Sequence, residues 1–267
     1  MGSPQIMGIL NVTPDSFSDG GNHESTQSAL QQALKMAEDG AAIIDVGGES
    51  TRPGAAPVSL DEELQRVIPV IEAIRKVSEV SISVDSGKPE VMRAAIAAGA
   101  DWINDIYALR KPGALAQAAA LECPLCLMHM QGRPGTMQQA PHYNNVVDEV
   151  LTFLSDRIAA CEAAGIARSR IWVDPGFGFG KRLEHNLQLL SGLDRFRALN
   201  VPLLVGISRK SMVGELLGGR EVGERLFGSV GAAVVAVERG ANIVRVHDVG
   251  ETHEALMGAG LMRGSSA

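Results

Sequence analysis

The sequence predicts an α/β protein, a single (β/α)8 TIM barrel. Three observations carry this: eight short apolar runs, a spacing of about 34 residues between their ends, and helical periodicity in the intervals. The runs are QIMGIL before Asn11, AAIIDV around Asp45, SISV before Asp85 and WI before Asn104. They continue with CLM before His129, WV before Asp174, PLLVGI before Ser208, and IVRV around Arg245 and before His247. Between them, residues 25–39, 60–76, 88–98, 112–122, 145–164, 184–198 and 223–239 repeat apolar residues at helical spacing. Ser59 followed by Glu62 reads as a capping box, and Gly40, Gly99, Gly165 and Gly240 mark helix exits. Segments 11–24, 47–58, 129–143, 174–183 and 207–222 are long and rich in Gly, Pro and polar residues. All of them follow strands, so the strand C-terminal ends form the working face.

The 267 residues, 45% of them hydrophobic, suffice for one full barrel, and no linker or charge block divides them. A single domain over 1–267, with its core at about 5–256, is expected. A net charge of −7 argues against nucleic acid or an anionic membrane as a partner. No basic-then-apolar leader opens the chain and no apolar run reaches the ~18 residues of a membrane span, which predicts a cytoplasmic location. Cys123 and Cys126 are spaced like a redox or zinc pair. Cys126 falls inside an apolar strand run, however, and no second pair completes a zinc site, so buried reduced thiols are expected.

Asn11 ends the first strand, where its carbonyl faces the barrel mouth and suits a hard cation such as Mg2+. The loop after it, which contains Asp15, Phe17 and Asp19, is turn-rich and reads as a lid. In the second loop Gly47 and Gly48 permit close backbone approach, while Thr51 and Arg52 offer a hydroxyl and a guanidinium fork to phosphate oxygens. Asp85, Asn104 and Asp174 enter a partly desolvated pocket. They can accept the adjacent N–H donors of a heterocycle, or bridge to Lys210 or an Arg across the barrel top. The segment from Asp174 to Lys181 is neither a Walker loop nor a dinucleotide fingerprint; its glycines predict a tight turn that brings Phe179 near a flat ligand. Ser208, Arg209, Lys210, Arg245 and His247 place basic groups after strands 7 and 8, where barrels of this class hold phosphate.

Residues 8–21, 45–55, 83–91, 103–106, 127–132, 174–181, 206–212 and 245–249, among them DVGGESTRPGA, DPGFGFGK and GISRKSM, together resemble the bacterial dihydropteroate synthases, a pterin-binding TIM-barrel family. The resemblance implies a transferase of folate biosynthesis. Such an enzyme joins 6-hydroxymethyl-7,8-dihydropterin diphosphate to 4-aminobenzoate by a dissociative substitution that releases diphosphate, and sulfonamides inhibit it. It further implies a pterin pocket at Asp85, Asn104, Asp174 and Lys210, with Asp45 and Met128 nearby. Asn11 through Mg2+, with Thr51, Arg52, Arg245 and His247, would hold the diphosphate. Phe17, Pro53, Ser208 and Arg209 would help form the aminobenzoate site. Catalysis is thereby expected to fall to Asp85, Arg52, Lys210, Arg245 and His247. A homodimer through late helices is implied as well, though Gly258 and Gly260 make the last helix weak. Two rivals are a methyltetrahydrofolate-binding methyltransferase domain, which needs no diphosphate clamp, and a non-catalytic pterin-binding paralogue.

Overall fold

The computed structural model describes residues 3–12, 22–50 and 54–262. The strands are β1 (Gln5–Asn11), β2 (Ile43–Gly47), β3 (Ser81–Asp85), β4 (Trp102–Asp105), β5 (Leu125–Met128), β6 (Ile171–Asp174), β7 (Leu204–Val205) and β8 (Ile243–Val246). The helices are α1 (Asn22–Glu38), α2 (Leu60–Arg75), α3 (Pro89–Ala97), α4 (Ala114–Leu121), α5 (Val146–Ala163), α6 (Leu183–Ser191), α7 (Ser211–Leu216), α8 (Leu226–Glu238) and α9 (Val249–Gly258). All strand pairs are parallel, in the order β6-β5-β4-β3-β2-β1-β8-β7. A lone parallel bridge between Val173 and Leu203 joins the two ends of that order. The fold is therefore the expected (β/α)8 barrel.

Strand residues alternate between two environments, because successive side chains point to opposite faces. One set, including Ile6, Ile44, Val46, Ile82, Val84, Ile103, Leu125, Leu127, Ile171, Val173, Val244 and Val246, joins the large core beneath the helices. The other set fills the barrel interior, where Met7, Ile43, Cys126, Leu204 and Ile243 cluster with Trp102 and Trp172 beside them. The Trp rings meet edge to face at 5.0 Å. Counting upward in steps of two from this layer gives Asn11, Asp45, Asn104, Met128, Asp174 and Arg245. The interior is thus apolar in its lower layer and polar above.

Helix ends follow the sequence signals. Gly40, Gly99, Gly165 and Gly240 all take positive φ, between 87° and 110°, where an L side chain is strained. Ser59 accepts the Glu62 amide at 3.3 Å, while the Glu62 carboxylate turns to Arg66 instead of completing the box. Two intervals differ from expectation. Residues 184–198 form α6 and a separate 3-10 segment, Leu193–Leu199, because the chain breaks at Gly192. Within the loop 207–222, residues 211–216 wind into α7, whose Met212 and Val213 are buried. All three cysteines are free and buried, with Cys126 on β5. No helix of the described residues is long and apolar enough to cross a membrane.

Candidate active site

At the polar end of the interior, Arg245 is braced between two carboxylates. Its Nε donates to Asp45 Oδ2 at 2.6 Å and its Nη2 to Asp85 Oδ2 at 2.8 Å. Asn104 Nδ2 donates to the same Asp45 oxygen at 3.0 Å. Asp45 is fully buried, and its Oδ1 has no partner among the described residues. Arg245 Nη1 likewise makes no hydrogen bond to the described residues. The sequence left open whether the carboxylates pair with a ligand or with a cation across the barrel. For Asp45 and Asp85 the partner is Arg245, which ties them into one cluster.

Burial sets the protonation of this cluster. Asp85 is pushed up to about 7 by desolvation, with Arg245 opposing and Asp45 adding to the rise. Burial opposes the charge of Arg245, but Asp45 and Asp85 outweigh it and keep the guanidinium cationic. Lys210 is lowered to about 8 by burial, against the pull of Asp174. Asp174 is raised by burial, with Lys210 and the Gly176 amide opposing.

The loop after β6 forms the side wall. Gly176, Gly178 and Gly180 take φ of 71°, 79° and 63°. A Cβ on Gly176 would lie 1.8 Å from His129 O, and one on Gly180 2.4 Å from Gln131 O, so the backbone can follow this path only with glycine. The Gly176 amide donates to Asp174 Oδ1 at 2.7 Å, and Lys210 Nζ donates to Phe177 O at 2.5 Å. Lys210 Nζ also lies 4.6 Å from the centre of the Phe179 ring, in cation–π range. Phe179 packs with Ile106, Met128, Met130 and Met137, making an apolar flank beside the acceptors. A flat heterocycle with adjacent N–H donors matches that combination.

Ser208 and Arg209 follow β7, and His247 follows β8. Ser208 Oγ lies 3.0 Å from His247 Nδ1 and accepts the His247 amide at 3.1 Å. Arg209 takes a left-handed conformation, φ 58°, held by Ser229 Oγ on its amide at 2.9 Å and by Arg225 on its carbonyl at 3.0 Å. Its guanidinium forks onto both oxygens of Asp248. Asn11 ends β1 half-buried, and its side chain makes no hydrogen bond among the described residues. Phe17, Thr51, Arg52 and Pro53 lie outside the described residues.

The sequence reading missed three groups. Glu63, fully buried on α2, and Glu49 both receive Lys88 Nζ, the latter at 2.6 Å, while Glu49 Oε1 accepts the Val58 amide at 3.3 Å. This clasp closes the base of the second loop. Asp105, raised to about 6 by burial, accepts the amides of Tyr107 and Leu109 at 2.8 Å each and braces two successive left-handed residues, Ala108 and Leu109. Lys181 is buried under the glycine loop. A charged residue in an otherwise apolar helix face, as at Glu63, was the available signal for the first; nothing local marked the other two.

The family model described as pterin binding enzyme matches residues 7–247. The dihydropteroate synthase of Escherichia coli K12 is 60% identical over 255 residues, covering 95% of this chain and 89% of that relative. The crystal structure of Yersinia pestis dihydropteroate synthase with a sulfonamide drug superposes with a TM-score of 0.91 at 54% identity, covering 96% of this chain and 92% of that one. Dihydropteroate synthase from Xanthomonas albilineans in complex with 7,8-dihydropteroate gives 0.89 at 50% identity, covering 97% and 93%. With a matched family model across nearly the whole barrel and relatives this similar, the chain belongs to the dihydropteroate synthase family of pterin-binding enzymes.

Proposed function

We propose that this chain condenses 6-hydroxymethyl-7,8-dihydropterin diphosphate with 4-aminobenzoate, forming 7,8-dihydropteroate and releasing diphosphate. The observation that carries the reading is the polar top of the barrel interior, where Asp85, Asn104 and Asp174 stand beside Lys210 and a braced Arg245. The pterin ring would lie against Met128 and Phe179 with its N–H donors on Asp174, Asn104 and Asp85. Asp45, beneath them, holds Arg245 in place.

In the proposed reaction the bond from the pterin methylene carbon to the diphosphate oxygen breaks first, and its electron pair leaves with diphosphate. Arg245, whose Nε and Nη2 are held by Asp45 and Asp85, acts with Arg52, Thr51 and His247 to stabilise the growing negative charge. Asp85 offsets the cation left on the pterin. The 4-aminobenzoate amine, held by Phe17, Pro53, Ser208 and Arg209, then attacks the methylene carbon and loses a proton to solvent or product. Asn11 supplies one neutral oxygen that accepts no hydrogen bond from the described residues, and it would help hold a Mg2+ ion beside the diphosphate. Bound there, the ion would contribute Lewis-acid neutralisation of the leaving group.

As further parts of the same reading, the chain is a single cytoplasmic domain and a homodimer, and sulfonamides compete with 4-aminobenzoate. The exposed Phe227 on α8 supports the dimer. A diphosphate-release assay tests the function. Release should require both substrates and Mg2+ and should stop on chelation. Pterin binding with no release would instead favour the non-catalytic paralogue.

A further inference from the structure

Lys181 is the most deeply buried lysine of the described residues, and its ammonium is enclosed by the loop that precedes it. Nζ donates to Gly176 O at 2.8 Å and to Phe179 O at 3.1 Å, and lies 2.9 Å from His129 Nδ1. Burial, followed by the charge of Lys181, holds the His129 imidazole neutral, so Nδ1 accepts and the ring proton sits on Nε2. Burial pulls Lys181 well below the usual lysine range, with Asp174 opposing, and the three N–H groups of its ammonium each meet an acceptor. Two further polar atoms of the loop are held by nearby side chains. Tyr143 Oη donates to Gly180 O at 2.9 Å, and Asn186 Oδ1 accepts the Gly178 amide at 2.8 Å.

What this loop presents on its other side is the pterin wall: the Gly176 amide on Asp174, the Phe177 carbonyl on Lys210, and the Phe179 ring. The carbonyl of Gly176 faces Lys181 while the amide of the same residue faces Asp174. Resting on the function proposed above, we infer that Lys181 is a positioning residue for the pterin, fixing Asp174 and Phe179 from behind the loop without touching the ligand. The residue type follows from the space. A planar guanidinium does not send three donors to acceptors converging on one point, and a neutral side chain leaves the Phe179 carbonyl without a donor and the Gly176 carbonyl with only the Phe179 amide.

The test compares wild type with Lys181→Met, titrating 6-hydroxymethylpterin by calorimetry and measuring steady-state kinetics with both substrates. Pterin affinity should fall about tenfold or more, and the KM for the pterin diphosphate should rise in parallel. The KM for 4-aminobenzoate should stay within about twofold and kcat within about threefold, a split that general loosening of the barrel would not give. Unchanged pterin affinity in Lys181→Met would overturn the role of Lys181 alone, whereas a wild-type chain that binds no pterin would overturn the functional reading with it. If Lys181→Met does not fold, His129→Leu removes one of the three acceptors and leaves the ammonium in place. It should weaken pterin binding about threefold, and no change there sinks the inference.

Discussion

Asp85 and Arg245 meet at 2.8 Å across the mouth of the barrel, joining β3 to β8 although β2 and β1 lie between those strands in the sheet. The contact links the carboxyl that faces the pterin to the guanidinium assigned to the leaving group. Removing charge from one side must therefore change the other.

That linkage predicts a narrow pH optimum. Asp85 titrates at about 7 and must be ionised to accept pterin N–H groups, so kcat/KM should fall as pH drops below about 7. Lys210 titrates at about 8, and its positive charge keeps Asp174 ionised for the ligand, so kcat/KM should fall again above about 8. A pH–rate profile checks both limbs, and Asp85→Asn should erase the acid limb while lowering kcat/KM about tenfold or more. A flat profile from pH 6 to 9 would contradict the assignment.

Arg245→Met and Asp85→Asn should separate in stability. Without Arg245, the fully buried Asp45 keeps, among the described residues, only the Asn104 amide, and loss of a buried pair partner typically costs about 3–5 kcal/mol. Asp85→Asn preserves shape and an acceptor oxygen and should cost ~1 kcal/mol or less. Urea unfolding resolves the two. Adding Asp45→Asn to Arg245→Met should recover at least ~1 kcal/mol without recovering activity.

Gly176→Ala tests the glycine loop. With φ at 71° and a Cβ that would sit 1.8 Å from His129 O, the backbone must move, at a cost of at least ~2 kcal/mol. Pterin affinity should drop about tenfold because the Gly176 amide leaves Asp174. Calorimetric titration and thermal unfolding measure the two effects, and an alanine variant with wild-type values in both would refute the strained path.

Lys88→Met should destabilise the barrel by about 3 kcal/mol or more, since the fully buried Glu63 loses its cation and Glu49 is freed with it. The double variant Lys88→Met, Glu63→Gln should be more stable than the single one by chemical denaturation. Equal stability would mean that the pair contributes nothing.

The barrel was legible because its determinants are local and periodic. Inward parity alone places Asn11, Asp45, Asn104, Met128, Asp174 and Arg245 in one chamber, given only that strands alternate faces. Their pairing was not legible. That Arg245 turns to Asp45, 200 residues earlier, and not to the rim beside Ser208 depends on barrel closure and side-chain reach. Lys181 escaped for a related reason: the pattern of its loop speaks through the glycines, and only the path of Gly176–Gly180 over Gln131 shows that its ammonium serves the backbone. The 3-10 segment after Gly192 and the α7 turn escaped because helix boundaries respond to a single glycine or a few packed apolar residues.

The strand β7 is two residues long, and the lone bridge Val173–Leu203, just before it, joins this end of the sheet to β6. This makes the cylinder a ring with a zipper left nearly undone, and the site straddles that gap, with Asp174 at one lip and Lys210 beyond the other. A ligand gripped by both residues would act as a stitch. Substrate affinity and the integrity of the cylinder are then two measurements of one equilibrium, and occupancy should slow amide exchange along β6 and β7 more than anywhere else in the sheet.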